Sequence, residues 1–219
     1  MSRSLRELLD DGAGELGMIL PPADADRLLL LMMELRKWNR KINLTAITTE
    51  RGIIIKHLLD SLTVVSLLPQ GARLLDLGSG GGFPCIPLAL VRPDLKVTSV
   101  DATLKKIHFQ RHAARSLGLD NFQALQVRGD TLTESHAGSF DVVISRGFAS
   151  LPEFVALAQP LLVPGGTIIA MKGSSGADEA GEAATFLEQH GLVVREVVRL
   201  RLPASGDERS FVVMRANVG

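Results

Sequence analysis

The apolar positions change rhythm near residue 70. Before it they recur at helical spacing: Leu5, Leu8 and Leu9 share one face, and Leu28, Leu31, Met32 and Leu35 share another. Pro21-Pro22 separates these two helices. Asp24 or Asp26 then stands in the first turn of the second, where an acid meets the positive end of a helix. A third apolar helix is expected over 57–68, stopped by Pro69-Gln70-Gly71.

From Arg73 onward short apolar runs alternate with helical ones. Strands are expected at 74–77, 97–100, 122–127, 140–144, 166–171, 193–200 and 211–214. Helices are expected at 84–91, 103–117, 152–162 and 177–190. Near-continuous apolar strands separated by helices imply a mostly parallel sheet covered on both faces. Only 203–209 joins the last two strands, too short for a crossover helix, so these two pair antiparallel.

Composition narrows the chemistry. The 219 residues carry 24 Lys+Arg and 24 Asp+Glu, so any attraction to a polyanion must come from a local patch. One cysteine excludes an intramolecular disulfide framework and a multi-thiolate metal site. No signal peptide or membrane-length apolar run is visible, and a cytoplasmic location is expected. Eight Phe, one Trp and no Tyr are too few for binding single strands by extended aromatic stacking.

The first strand ends in Asp76-Leu-Gly78-Ser-Gly80-Gly81-Gly82-Phe83-Pro84. Glycines between a strand and a helix let backbone approach a ligand beyond the carboxyl ends of a parallel sheet. The dinucleotide fingerprint fails, because Phe83 stands where its third small residue belongs. Asp76 suits a cation such as an amino-acid ammonium. Asp101, about 20 residues past the glycines, suits a ribose diol, although it could equally cap the following helix. Asp130, after the third strand, suits an adenine amine. Three acids at three successive strand ends favour S-adenosylmethionine, a cation with ribose and adenine but no phosphate. Cys85 reads as a small buried hydrophobe rather than a nucleophile. His108 and His112 have helical spacing but no third ligand nearby, so no metal site is expected.

Four stretches carry a family resemblance: Trp38-Asn-Arg-Lys-Ile-Asn-Leu-Thr45, Lys56-His-Leu-Leu-Asp-Ser61, Leu75 to Pro84, and Ile144-Ser-Arg146. On them the chain resembles the ribosomal RNA small subunit methyltransferase G family, also called glucose-inhibited division protein B. The resemblance implies a Rossmann-like, S-adenosylmethionine-dependent α/β methyltransferase sheet of seven strands, the last antiparallel, over 69–219. An N-terminal helical extension, 1–68, precedes it. It implies methyl transfer to N7 of a guanine in 16S rRNA of the small ribosomal subunit. It also implies cofactor contacts at Gly78, Phe83, Gly129, Asp130 and Arg146, to which the loop itself adds Gly80 and Asp101. The chain departs from the usual family residues at Cys85, at Gly129-Asp130 and at Gly147.

N7 of guanine has a lone pair and no proton, so no general base is expected. The enzyme's task is orientation, with Arg146 a candidate for positioning the reactants. Arg36, Lys37, Arg40 and Lys41, backed by the family match, are the expected RNA contacts. A second basic face, Lys105, His108, His112 and Arg115, has no such backing; Leu104, Ile107, Ala114 and Leu117 should lie opposite it. A monomer is the default expectation. A small-molecule methyltransferase and a non-catalytic rRNA-binding assembly factor are the rival readings.

Overall fold

The computed structural model describes residues 4–148 and 150–216. Its centre is one seven-stranded sheet in the order β3-β2-β1-β4-β5-β7-β6. The strands are β1 (Arg73–Leu77), β2 (Lys96–Asp101), β3 (Phe122–Gln126), β4 (Phe140–Arg146), β5 (Leu162–Lys172), β6 (Leu192–Arg201) and β7 (Glu208–Ala216). β1 to β5 pair in parallel, while β7 lies antiparallel to both β5 and β6. Among the described residues no helix is long and apolar enough to cross a membrane.

Strand alternation divides the core. Leu74, Val97, Val142, Ile144, Ile169, Phe211 and Val213 face one side, together with Leu8, Leu9, Leu28, Leu31 and Leu35 of the N-terminal helices. Leu75, Leu77, Val143, Ile168, Val212 and Met214 face the other, against helix Leu151–Ala158 and helix Gly176–Glu182. The N-terminal helices therefore share a core with one face of the sheet. Helix Leu5–Glu15 opens with a capping box in which Ser4 and Glu7 satisfy each other's backbone. Helix Pro22–Ile42 packs on helix Leu104–Leu117, with Trp38 edge-on to Phe109 at 5.7 Å.

Several boundaries differ from the sequence pattern. The helix expected at 57–68 is a continuous helical run over 50–62, started by Thr49, whose hydroxyl accepts from Gly52 N. Its middle, Ile54–Leu59, is π-helical; Ile54, Ile55, Leu58, Leu59 and Leu62 are all buried, so the apolar stripe begins upstream of 57. Helix 152–162 is α-helical over Leu151–Ala158 and tightens to a 3-10 turn over Gln159–Leu161, which contains Pro160, before Leu162 opens β5. Helix 177–190 is split into Gly176–Glu182 and Ala184–Gln189, with the weak helix former Gly181 beside the break. Leu104, expected on a buried face, is 45% exposed at the first turn of its helix.

Candidate functional site

The carboxyl ends of β1 to β5 carry the polar side chains expected to form the site. Gly78 and Gly80 both adopt positive φ, 71° and 59°. Gly78 N and Ser79 N donate to Val100 O at 2.9 and 3.0 Å, folding the loop over the end of β2. A Cβ at Gly80 would meet nothing within 4 Å, so this stretch of backbone faces open space.

Asp101 links the glycine loop to the start of the next helix. Its Oδ1 accepts from Thr103 N at 2.8 Å; Thr103 is the helix cap residue, so Asp101 is not itself the cap. Its Oδ2 accepts from Gly80 N at 3.0 Å and from Lys106 Nζ at 3.2 Å. The acid at the end of β2 thus also fixes the glycine loop. Gly129 lies near β1, since a Cβ there would be 3.8 Å from Leu77 Cδ2. Asp130 is exposed and pairs with Arg128 at 3.2 Å, which keeps its carboxyl below the ordinary range.

Asp76 does not open to solvent as an ammonium ligand should. Alternation turns it onto the N-terminal-helix side of the sheet, where it is fully buried under Cys85. Oδ2 accepts from Cys85 N at 3.3 Å and Oδ1 has no hydrogen-bond partner. Burial lifts its pKa to about 6. Cys85 is fully buried, and burial followed by the Asp76 charge pushes its thiol up, so it is inert as a nucleophile.

A buried polar cluster that the motifs do not include holds the same loop. Gln110, on helix Leu104–Leu117, donates to Ser79 Oγ at 2.8 Å and to Gly80 O at 2.9 Å. Ser99 Oγ donates to Ser79 Oγ at 2.6 Å. A glutamine at an apolar helix position is the signal in the sequence that points to it.

Arg146 lies at the end of β4, and its guanidinium is turned toward the 50–62 run. Nη1 donates to Lys56 O at 3.1 Å and to Asp60 Oδ2 at 2.9 Å; Nη2 donates to His57 Nδ1 at 3.1 Å. Both guanidinium NH2 groups are therefore engaged within the protein. Arg209, from β7, donates through Nε to the other oxygen of Asp60 at 2.5 Å. Because Arg146 donates to Nδ1, the neutral His57 ring carries its proton on Nε2 and donates to Thr45 Oγ1 at 2.8 Å. His57 also stacks on Phe83 of the glycine loop at 4.7 Å, and Arg146 lies 5.8 Å from the same ring centre. Phe83 is consequently buried.

The Trp38-to-Thr45 motif supports this arrangement. Asn43 takes the left-handed backbone that ends the helix, φ 48°. Asn39 Oδ1 accepts from Leu44 N and Thr45 N at 2.6 and 2.9 Å, and its Nδ2 donates to Thr45 O at 2.9 Å. The motif's polar side chains thus build the turn that brings Thr45 to His57. Its basic residues divide. Arg36 pairs with Glu50, and Lys37 lies 3.7 Å from Glu34. Arg40 and Lys41 are exposed, with no ion pair among the described residues. On the second basic face His112 is tied to Glu34 at 2.5 Å and packs beside Trp38. No cluster able to hold a metal exists among the described residues.

The buried pair His57 and Asp76 has a testable pH consequence. Burial, then the Arg146 charge, lower His57 to about 4. Its unfolded form takes a proton below about 6.5, so its contribution is full above that value and is lost as pH falls toward 4. Asp76 runs the other way: its contribution is full below about 3.8 and is lost as pH rises toward 6. His57→Asn removes only the first. Relative to the unmodified chain, its unfolding free energy should fall less between pH 7 and pH 4.5, measured by urea denaturation. Identical pH dependence in the two proteins would mean that His57 is not held neutral.

Known relatives agree with this architecture. A family model described as rRNA small subunit methyltransferase G matches residues 24–211. A Ribosomal RNA small subunit methyltransferase G from Geobacter sp. (strain M21) is 52% identical over 217 residues, covering 99% of this chain and 100% of the relative. One from Deinococcus radiodurans is 41% identical over 213 residues, covering 95% and 84%. A SAM dependent methyltransferase from Aquifex aeolicus shares the fold with a TM-score of 0.57 at 19% identity, over 72% of this chain and 90% of that one. TYW2 from M. jannaschii in complex with AdoMet does so with a TM-score of 0.55 at 16% identity, over 72% and 73%. The family model spans the glycine loop, both polar motifs and the Arg146 cluster: the chain belongs to the rRNA small subunit methyltransferase G family.

Proposed function

We propose that the chain transfers a methyl group from S-adenosylmethionine to N7 of one guanine in 16S rRNA. The observation that carries this reading is a glycine loop of left-handed backbone, fixed by Asp101, beside a cavity of about 510 Å³ at the ends of β4 and β5. The donor set fits the cofactor. Gly78 and Gly80 bring backbone close, Asp101 stands at the ribose position, and Gly129-Asp130 stands where the adenine belongs. Asp76, buried with one oxygen unpartnered, places negative potential beneath the loop, which favours a cationic ligand. S-adenosylmethionine supplies an electrophilic methyl group on a sulfonium.

The cavity receives the target base. Phe148 and Met171 offer apolar contact, and Arg146, Asp60 and Lys172 form polar walls. Phe148 also joins the cavity to the glycine loop, its ring 3.5 Å from where a Gly78 Cβ would stand. Guanine N7 needs no deprotonation, so the surrounding side chains act by orienting the base and excluding water rather than by proton transfer. His57, neutral and hydrogen-bonded at both nitrogens, is a spacer in this arrangement and not a base.

The direct test is a methyl-transfer assay with small ribosomal subunits, followed by mass mapping of the modified nucleotide. Cofactor binding without transfer to any ribosomal substrate would favour a small-molecule substrate; no cofactor binding would favour an assembly factor. Within this reading Arg40 and Lys41 are the free cations of the Trp38-to-Thr45 stretch. Arg40→Ala with Lys41→Ala should raise KM for the ribosomal substrate. The slope of log affinity against log salt should flatten by about 0.7–0.9 for each phosphate no longer neutralised. Cofactor affinity should stay unchanged. A normal salt slope in this variant would remove both residues from the RNA interface.

A further inference from the structure

A second cavity, of about 440 Å³, adjoins the first; Gly173 and Arg209 line both. Its other walls include Arg199 and Arg201 near the end of β6. Cross-strand register sets Arg199 opposite Ser210 and Arg201 opposite Glu208, so the two arginines project from the same face of the β6–β7 ribbon. Little neutralises them. Arg199 is exposed and has no ion pair among the described residues. Arg201 is 76% exposed and reaches Glu208 only at 3.7 Å. Arg209 is oriented by Asp60 through Nε and by Glu208 O through Nη1, at 2.5 and 2.9 Å. Asp178 and Glu208 are the acids in the lining, against three arginines, and no aromatic side chain lines it for base stacking.

We propose that this cavity holds the RNA backbone phosphate next to the target guanine, a role that no motif of the sequence assigns to β6. The proposal rests on the reading of the neighbouring cavity as the base site. Guanidinium groups match phosphate oxygens in geometry as well as charge. Arg209, paired with Leu200, projects from the opposite face toward Asp60 and lines both cavities, so it stands between the base and the phosphate held by Arg199 and Arg201. The β6 arginines then act with Arg40 and Lys41, which lie in a separate part of the chain, so that the nucleotide is held from two elements.

The test is equilibrium binding of the full chain to small ribosomal subunits across a salt series. Arg199→Ala with Arg201→Ala should lower the slope of log affinity against log salt by about 0.7–0.9, the loss of the one phosphate the cavity holds. KM for subunits should rise, while kcat and S-adenosylmethionine affinity stay unchanged. Arg195→Ala, an exposed arginine of β6 outside the cavity lining, is the control and should leave the slope unaltered. An unchanged slope in the folded double variant overturns the proposal. So does an equal decrease per charge from Arg195→Ala, which would make the effect one of bulk charge. If the double variant lowers the slope as expected but the unmodified chain methylates no guanine, the base-site reading fails and Arg199 and Arg201 remain only as a contact to RNA phosphate.

Discussion

Arg146→Ala is expected to abolish measurable single-turnover methylation and to lower stability by about 3 kcal/mol, near the bottom of the range for breaking a buried ion pair. The low end applies because Asp60 keeps one guanidinium, that of Arg209, when the other is removed. The loss of activity follows from what Arg146 holds. Without it, His57 loses its Nδ1 donor, the Lys56 carbonyl loses a partner, and Phe83 loses a neighbour on the glycine loop. The loop and the base cavity then lose their fixed relation, and a displacement reaction is sensitive to that alignment. Arg146→Lys should not restore activity, because one ammonium cannot reach three acceptors set around a planar fork. Rapid-quench methylation at saturating cofactor and subunit, with urea denaturation of each variant, checks both parts. Full single-turnover rate in Arg146→Ala would confine the residue to supporting the fold.

The sheet is legible in the sequence because its signals are local. Continuous apolar runs, the glycines after β1 and the short 203–209 connection each act within a few residues, and the seven strands fall where those signals lie. The acids at the ends of β1 and β2 are legible as positions, but their environments are not. Asp76 and Asp101 stand alike in sequence and face the same side of the sheet, yet register sets Asp76 beside Ser99, two residues short of Asp101, so Asp76 lies under the loop while Asp101 reaches it. The polar cluster behind Arg146 is least legible. Asp60 meets a guanidinium 86 residues away and another 149 residues away, and no local pattern encodes that encounter. From sequence the family-bearing motifs suggest substrate binding; in the fold, Asn39, Thr45, His57 and Asp60 are chiefly the support for Arg146, while Arg40 and Lys41 stay exposed.

Asp101→Ala is expected to weaken S-adenosylmethionine on the order of ten- to a hundredfold, about 1.5–3 kcal/mol, the range for hydrogen bonds to a charged group. Two causes act together. A carboxylate at the end of β2 accepts from ribose hydroxyls, and the same Oδ2 holds Gly80 N, which shapes the cofactor loop. Titration with a cofactor analogue lacking both ribose hydroxyls separates them. The unmodified chain should bind the analogue more weakly than S-adenosylmethionine, whereas Asp101→Ala should bind the two alike, having no carboxylate left for the hydroxyls. Lys106→Ala gives the complementary result: freeing Asp101 of its 3.2 Å ammonium contact leaves the carboxylate more available to ribose, so cofactor affinity should hold or rise. If Asp101→Ala keeps the full preference for the hydroxylated cofactor, Asp101 serves the loop alone, and the ribose is held by another group.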